Sequence, residues 1–163
     1  MIIGSRGAGK SRLAKRLSAI TGLPAVHLDR LYWDKEGESL SITAFDKLLA
    51  EEIAKENWII DGNYIRALGN MLDRSDTVIF LDYSRFACVC GVFARTLLGG
   101  GYEANVAEGY TGRLDFAFVK SVWRTAEKNR ERYYAMLKDV KDTDVVILKN
   151  RRECRKFLAG LKK

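Results

Sequence analysis

The chain reads as an α/β protein, a parallel sheet with helices on both faces, and two observations predict this. Short apolar stretches alternate with amphipathic helical ones from end to end, a rhythm that implies parallel strands joined by crossover helices. Between the first apolar stub and the first helical run stands Gly4-Ser5-Arg6-Gly7-Ala8-Gly9-Lys10-Ser11, of the form G-x-x-x-x-G-K-S. A strand leading into such a loop and a helix leading out is the setting in which it cradles phosphate.

Each element follows from local pattern. Met1-Ile2-Ile3 is a short strand ending at the loop, and residues 10–21 carry helical spacing behind it. Ala25-Val26-His27-Leu28, Trp58-Ile59-Ile60, Thr77-Val78-Ile79-Phe80-Leu81 and Asp144-Val145-Val146-Ile147-Leu148 are buried-strand candidates. Helices are expected near 43–55, 64–73, 84–98, 114–139 and 151–161. Thr43 with Asp46 resembles a capping box, and Asn150 can cap the last helix. On the long helix Phe116, Val119, Trp123, Ala126, Tyr133 and Leu137 form the expected buried stripe, with Arg130 on it. Two segments stand outside this frame: a polar loop at 34–39 and a glycine-rich excursion from Gly99 to Gly112, which reads as a lid with a glycine hinge.

Composition narrows the class. The 163 residues, 47% hydrophobic and 30% charged, suit one domain over 1–163 with a proper core. No apolar run approaches the ~18–20 residues of a membrane span, and a chain without a secretory leader is expected. Cys88, Cys90 and Cys154 are expected to be reduced thiols of a cytoplasmic protein. His27 is the only histidine, which excludes a multi-histidine metal site. A net charge of +7 calls for an anionic partner, and phosphate meets that as well as nucleic acid does.

The phosphate loop supplies the chemistry. Glycines at 4, 7 and 9 let the amides of Ser5, Arg6, Ala8 and their neighbours converge on one anion. Lys10 reaches the β- and γ-phosphates, Ser11 ligates Mg²⁺, and Arg12 opens the helix whose positive end faces the same phosphates. ATP and Mg²⁺ are therefore the expected cofactors. Phosphoryl transfer also needs a metal-organising carboxylate at a strand end. Asp61 is favoured over Asp82 because Gly62-Asn63-Tyr64-Ile65-Arg66 follows it, with Arg66 placed for phosphate contact. Asp29 is expected to orient the acceptor or take its proton. Arg130 reads either as a transition-state clamp or as half of an ion pair, since its charge needs a partner. Arg95 can stack on an adenine ring, and Arg113 can swing onto phosphates.

These features resemble the nucleoside monophosphate kinase-like P-loop enzymes such as adenylate kinase. A closer likeness is to the adenylate-kinase-related group of DNA topology modulation proteins. It is carried by the phosphate loop, Val26-His27-Leu28-Asp29 with Trp33, Trp58 through Tyr64, Asp76 through Asp82, and Arg113-Leu114-Asp115-Phe116. The resemblance implies a three-layer P-loop NTPase fold with a five-stranded parallel sheet ordered 2-3-1-4-5. It also implies an acceptor region at about 30–57 and a lid at about 99–113. Asp61-Gly62 matches the Asp-Gly that precedes a phosphate-contacting arginine in adenylate kinases, here Arg66. Asn63-Tyr64 departs from the Phe-Pro found there, and within the lid only Arg113 remains of the several arginines relatives carry.

The expected function is an ATP-dependent kinase acting on a nucleotide or other small acceptor. The alternative is a nucleotide-gated regulator or DNA-associated protein with weak ATPase activity, using Lys120, Arg124, Lys128, Arg151, Arg152, Arg155, Lys156, Lys162 and Lys163. No helix-turn-helix, zinc-finger spacing or basic tail supports a nucleic-acid module.

Overall fold

The computed structural model describes residues 1–32, 38–97 and 116–161. Five parallel strands, β1 (Ile2–Gly4), β2 (Ala25–His27), β3 (Ile59–Asp61), β4 (Thr77–Leu81) and β5 (Asp144–Leu148), form one sheet ordered β2-β3-β1-β4-β5. This is the expected 2-3-1-4-5 order. Between the strands run α1 (Lys10–Thr21), α2 (Leu28–Tyr32), α3 (Ile42–Ile53), a 3₁₀ turn (Ile65–Ala67) leading into α4 (Leu68–Leu72), α5 (Arg85–Leu97), α6 (Phe116–Lys138) and α7 (Arg151–Gly160).

The inner strands β1, β3 and β4 are apolar because both faces are covered, whereas Val145 and Ile147 of the edge strand β5 are exposed, and strand alternation divides the interior in two. Ile2, Ile59, Ile79 and Leu81 pack with Leu13, Leu17, Val92 and Leu158 on one face. Ile3, Ile60, Val78 and Phe80 turn to the other and meet Phe45, Leu49, Leu68, Met71 and Tyr133. Each such side chain contributes roughly 1.5–3 kcal/mol by leaving water. Gly22 ends α1 at φ 77°, its N–H donating to the Ser18 carbonyl, and Asn150 Oδ1 caps α7 by accepting from the Arg152 and Glu153 amides.

Four expectations change. β2 stops at His27, and Leu28 opens α2, so Asp29 sits in a helix's first turn rather than at a strand end. Ser41, not Thr43, caps α3, its hydroxyl accepting from the Ala44 amide; Asp46 is instead drawn away to Arg66. The helix expected over 64–73 is split into a 3₁₀ turn and one α-turn. On α6 the buried residues are Val122, Ala126 and Tyr133, while Phe116 (79% exposed), Trp123 (45%) and Arg130 face outward. Residues 116, 123 and 130 lie seven apart, a spacing that drifts ~20° per repeat on a straight helix. The helix settles instead on the row through 119, 122, 126 and 133. Trp123 finds cover from Arg85, whose guanidinium lies 5.0 Å from its ring. Trp33, residues 34–37 of the polar loop, the lid at about 99–113 with Arg113, and Lys162 and Lys163 lie outside the described residues.

Candidate active site

Parallel pairing brings the carboxyl ends of β1, β2, β3 and β4 to one edge of the sheet, where open α/β sheets bind ligands. The phosphate loop leaves β1 there. Gly7 and Gly9 adopt φ of 81° and 95°, values that a side chain disfavours. The Ala8 amide donates to the Ser5 carbonyl at 3.1 Å, closing the turn. Lys10 is buried, and its Nζ donates to the same carbonyl at 3.4 Å. Behind the loop stands α5, packed so closely that a Cβ on Gly7 would meet the Cys88 carbonyl oxygen at 2.1 Å. A Cβ on Gly91 would lie 2.0 Å from the Gly7 oxygen.

Ser11, at the start of α1, donates its hydroxyl to Asp61 Oδ2 at 2.6 Å. The other carboxylate oxygen, Oδ1, is hydrogen-bonded to His27 Nδ1, which donates because a carboxylate can only accept. Strand register builds this chain, for His27 stands opposite Asp61 on β2 and β3. Gly62 follows without a side chain because Leu28 occupies that space, 2.6 Å from where a Cβ would lie. A hydroxyl and a buried carboxylate are hard oxygen donors of the kind Mg²⁺ takes alongside substrate phosphates. The residues present fit that ion.

Two clefts open at this edge. One, of about 730 Å³, is lined by the phosphate loop, His27 and α1, together with Arg95, Arg151, Cys154 and Arg155. Basic side chains dominate its described wall, Arg12, Lys15, Arg16 and Arg30 among them, with Asp29 as the acid. The second, of about 520 Å³, is lined by Tyr32, Phe45, Asn63, Tyr64, Arg66 and Phe118 among others. Its aromatic wall is a packed trio: Phe45 and Tyr64 centroids lie 4.7 Å apart, and Tyr32 is 5.4 Å from Tyr64 and 5.8 Å from Phe45. Asn63 accepts a hydrogen bond from the buried Tyr133 hydroxyl. Arg6 and Asp29 line both clefts.

Ser11 thus meets Asp61, and Lys10, Ser11, Asp29, Arg12 and Arg95 border the larger cleft. Arg66 lines the smaller one while its Nη2 donates to Asp46 Oδ1 at 2.7 Å, both side chains being about half exposed. Arg130 forks onto Asp82, Nε to Oδ1 at 2.6 Å and Nη2 to Oδ2 at 3.1 Å, and Tyr134 donates to Oδ2 at 2.7 Å. The bonds to Asp82 hold the Arg130 guanidinium charged well above its ordinary range and raise the Tyr134 hydroxyl as well. Sequence reasoning missed three parts: His27 as a partner of Asp61, Gly91 as the wall behind the loop, and Arg151 with Arg155 beside the larger cleft. The i, i+4 spacing of those two arginines was the available signal for the last. For the others the contact is set by tertiary packing.

No protein-family model matches the chain, and a search of curated proteins finds no match. Solved structures do match in shape. Deoxyadenosine kinase from M. mycoides, with products dCMP and dCDP bound, superposes with a TM-score of 0.58 at 18% identity, over 98% of this chain and 96% of that one. Shikimate kinase from Bacteroides thetaiotaomicron gives 0.59 at 16% identity over 99% and 94%. A gluconokinase from Sinorhizobium meliloti gives 0.56 at 16% over 99% and 91%. The likeness establishes a P-loop kinase-like fold.

Proposed function

We propose that this chain is an ATP-dependent kinase that moves the γ-phosphoryl group to a hydroxyl or phosphate oxygen of a small acceptor. The observation that carries the reading is that Arg6 and Asp29 line both clefts, so donor and acceptor sites meet where a carboxylate and a guanidinium stand together. The loop amides and Lys10 hold the β- and γ-phosphates. Ser11 and Asp61 hold Mg²⁺, which when bound neutralises charge on the phosphate oxygens. Arg12, Arg95, Arg151 and Arg155 surround the rest of the nucleotide, with Arg95 against the base.

For a hydroxyl acceptor, Asp29 orients the group and takes its proton as the new O–P bond forms and the bond from Pγ to the departing ADP breaks. The aromatic trio gives the acceptor a flat apolar wall. Arg66 sits at its rim, and an exposed ion pair such as Arg66–Asp46 is worth only about 0–1 kcal/mol, so the arginine can exchange Asp46 for an acceptor anion at little cost. Arg130 is committed to Asp82, and we assign it to bracing the end of β4. The shape relatives named above are kinases of three different acceptors, which supports the reaction class and leaves the acceptor to be found. The Asp61-Gly62-Asn63-Tyr64 run supports placing the chain in the DNA topology modulation group of adenylate-kinase relatives.

The test is ADP formation across a panel of nucleosides, nucleotides and sugar acids. Acceptor-dependent turnover that is lost in Lys10→Ala is expected; ADP appearing equally fast without any acceptor overturns the reading. One observation favours a second reading: Arg151, Arg152, Arg155 and Lys156 are all exposed on α7, a basic face suited to a polyanion. Binding to duplex DNA that falls steeply with salt would support a DNA-associated regulator, and no binding near physiological salt removes it. Among the described residues no helix is long and apolar enough to cross a membrane.

A further inference from the structure

We infer that His27 is a positioning residue: it fixes the Asp61 carboxylate so that one oxygen is presented, with Ser11, to the divalent cation of the donor nucleotide. The inference rests on the donor site proposed above and adds a residue to it.

The main chain of Asp61 has little freedom. It belongs to β3, paired with His27 of β2 on one side and Ile2 of β1 on the other. What remains is rotation of the carboxylate about its own bonds. The group is 3% exposed, so water offers it little alternative, and a buried carboxylate left short of a donor turns toward whatever donor remains. His27 occupies Oδ1 and Ser11 faces Oδ2. With Oδ1 held by a ring rooted in the neighbouring strand, Oδ2 is aimed at the Ser11 hydroxyl. With Oδ1 released, both oxygens compete for the same serine. The packing of Leu28 against Gly62, directly after each partner, holds the two strand ends together. His27 also lines the larger cleft beside Lys10 and Ser11, so its ring would border any cation that Ser11 and Asp61 hold. Outer partners of this kind are typically worth 10- to 100-fold in metal affinity.

The test separates a donor placed at Nδ1 from mere bulk. Asparagine carries an N–H at about the Nδ1 distance from the backbone, whereas glutamine carries it one methylene further out. ADP binding is measured by calorimetry for the parent chain, His27→Asn and His27→Gln, each with Mg²⁺ and with a chelator, after thermal melting has shown each to be folded. The expected result is that His27→Gln loses roughly 10- to 100-fold of the affinity that Mg²⁺ adds, while its chelator value stays within about twofold and His27→Asn keeps most of the gain. Equal magnesium dependence in all three overturns the inference. So does an equal loss with and without Mg²⁺, which makes His27 a wall of the cleft only. If the parent chain binds no ADP under either condition, the donor site itself fails, an outcome distinct from both.

Discussion

The carbonyl oxygen of Cys88 occupies the place where a side chain on Gly7 would begin. Only 2.1 Å separates it from the ideal Cβ position, and a Cβ on Gly91, one helical turn on, would lie 2.0 Å from the Gly7 oxygen. The phosphate loop is therefore shaped from behind by α5 as well as by its own glycines.

Gly91→Ala is expected to weaken ADP binding by about tenfold or more, because relieving an overpacked contact costs ~1–3 kcal/mol and here the backbone of the loop must give way. Gly9→Ala is the control: nothing lies within 4 Å of its Cβ position, and only its φ of 95° is strained, a cost of about 1–3 kcal/mol without a clash. Melting temperature and ADP titration on both variants check the contrast. Wild-type affinity in Gly91→Ala would show that the loop does not depend on its backing.

Arg130→Ala should cost about 1–2 kcal/mol in stability. Orphaning a fully buried charge costs ~3–5 kcal/mol, but Arg130 is 48% exposed while Asp82 is 2% exposed, so solvent screens the pair, and Tyr134 still donates to Asp82. Urea midpoints measure the loss. If a folded Arg130→Ala keeps its melting point yet loses about 100-fold in kcat, or ~2.7 kcal/mol of barrier lowering, the arginine acts on the phosphates rather than on β4.

Burial pushes the Tyr133 hydroxyl from its ordinary 10 up to about 12. The folded group stays protonated while the unfolded one ionises, so its contribution is intact below pH ~10 and is lost as pH rises toward ~12. Two units correspond to about 2–3 kcal/mol. Unfolding midpoints taken across this range should fall, and Tyr133→Phe should flatten the fall. An unchanged slope in the phenylalanine variant would assign it to other groups.

Cys88 is fully buried, and desolvation raises its thiol above the ordinary range, so alkylation of the native protein at neutral pH should spare it. Cys90 and Cys154 are half-buried, and Cys154 lines the larger cleft. ADP at about ten times its Kd should slow Cys154 labelling about tenfold and leave Cys90 unaffected. Equal protection of both thiols would point to general tightening instead of cleft occupancy.

The sheet was legible because its strands are apolar and flanked by polar residues. Thr77–Leu81 and Asp144–Leu148 have the bounds their patterns predict, whereas at β2 the apolar Leu28 extends the pattern past the true end. The shape of the glycine loop was legible because local backbone geometry demands glycine at its positive-φ positions, Gly7 and Gly9. The rest of the site depends on contacts between distant residues. A single histidine beside a strand gives no sign of facing a carboxylate 34 positions away, and a glycine inside a helix reads only as a weak point of that helix. Of the two readings of Arg130 the ion pair is the one the structure displays: the side chain is 48% exposed, yet its guanidinium reaches back to the buried Asp82, a partner 48 positions away that helical spacing alone does not name.

The sheet keeps two interiors apart, one holding Ala8 of the phosphate loop and the other Phe45 beneath the aromatic cleft. Substitutions in separate clusters without shared partners combine additively to within about 0.5 kcal/mol. A change of side chain beside Phe45 and one beside Ala8 should thus leave each other's cost in stability unaltered, so either interior can be refashioned without unsettling the other.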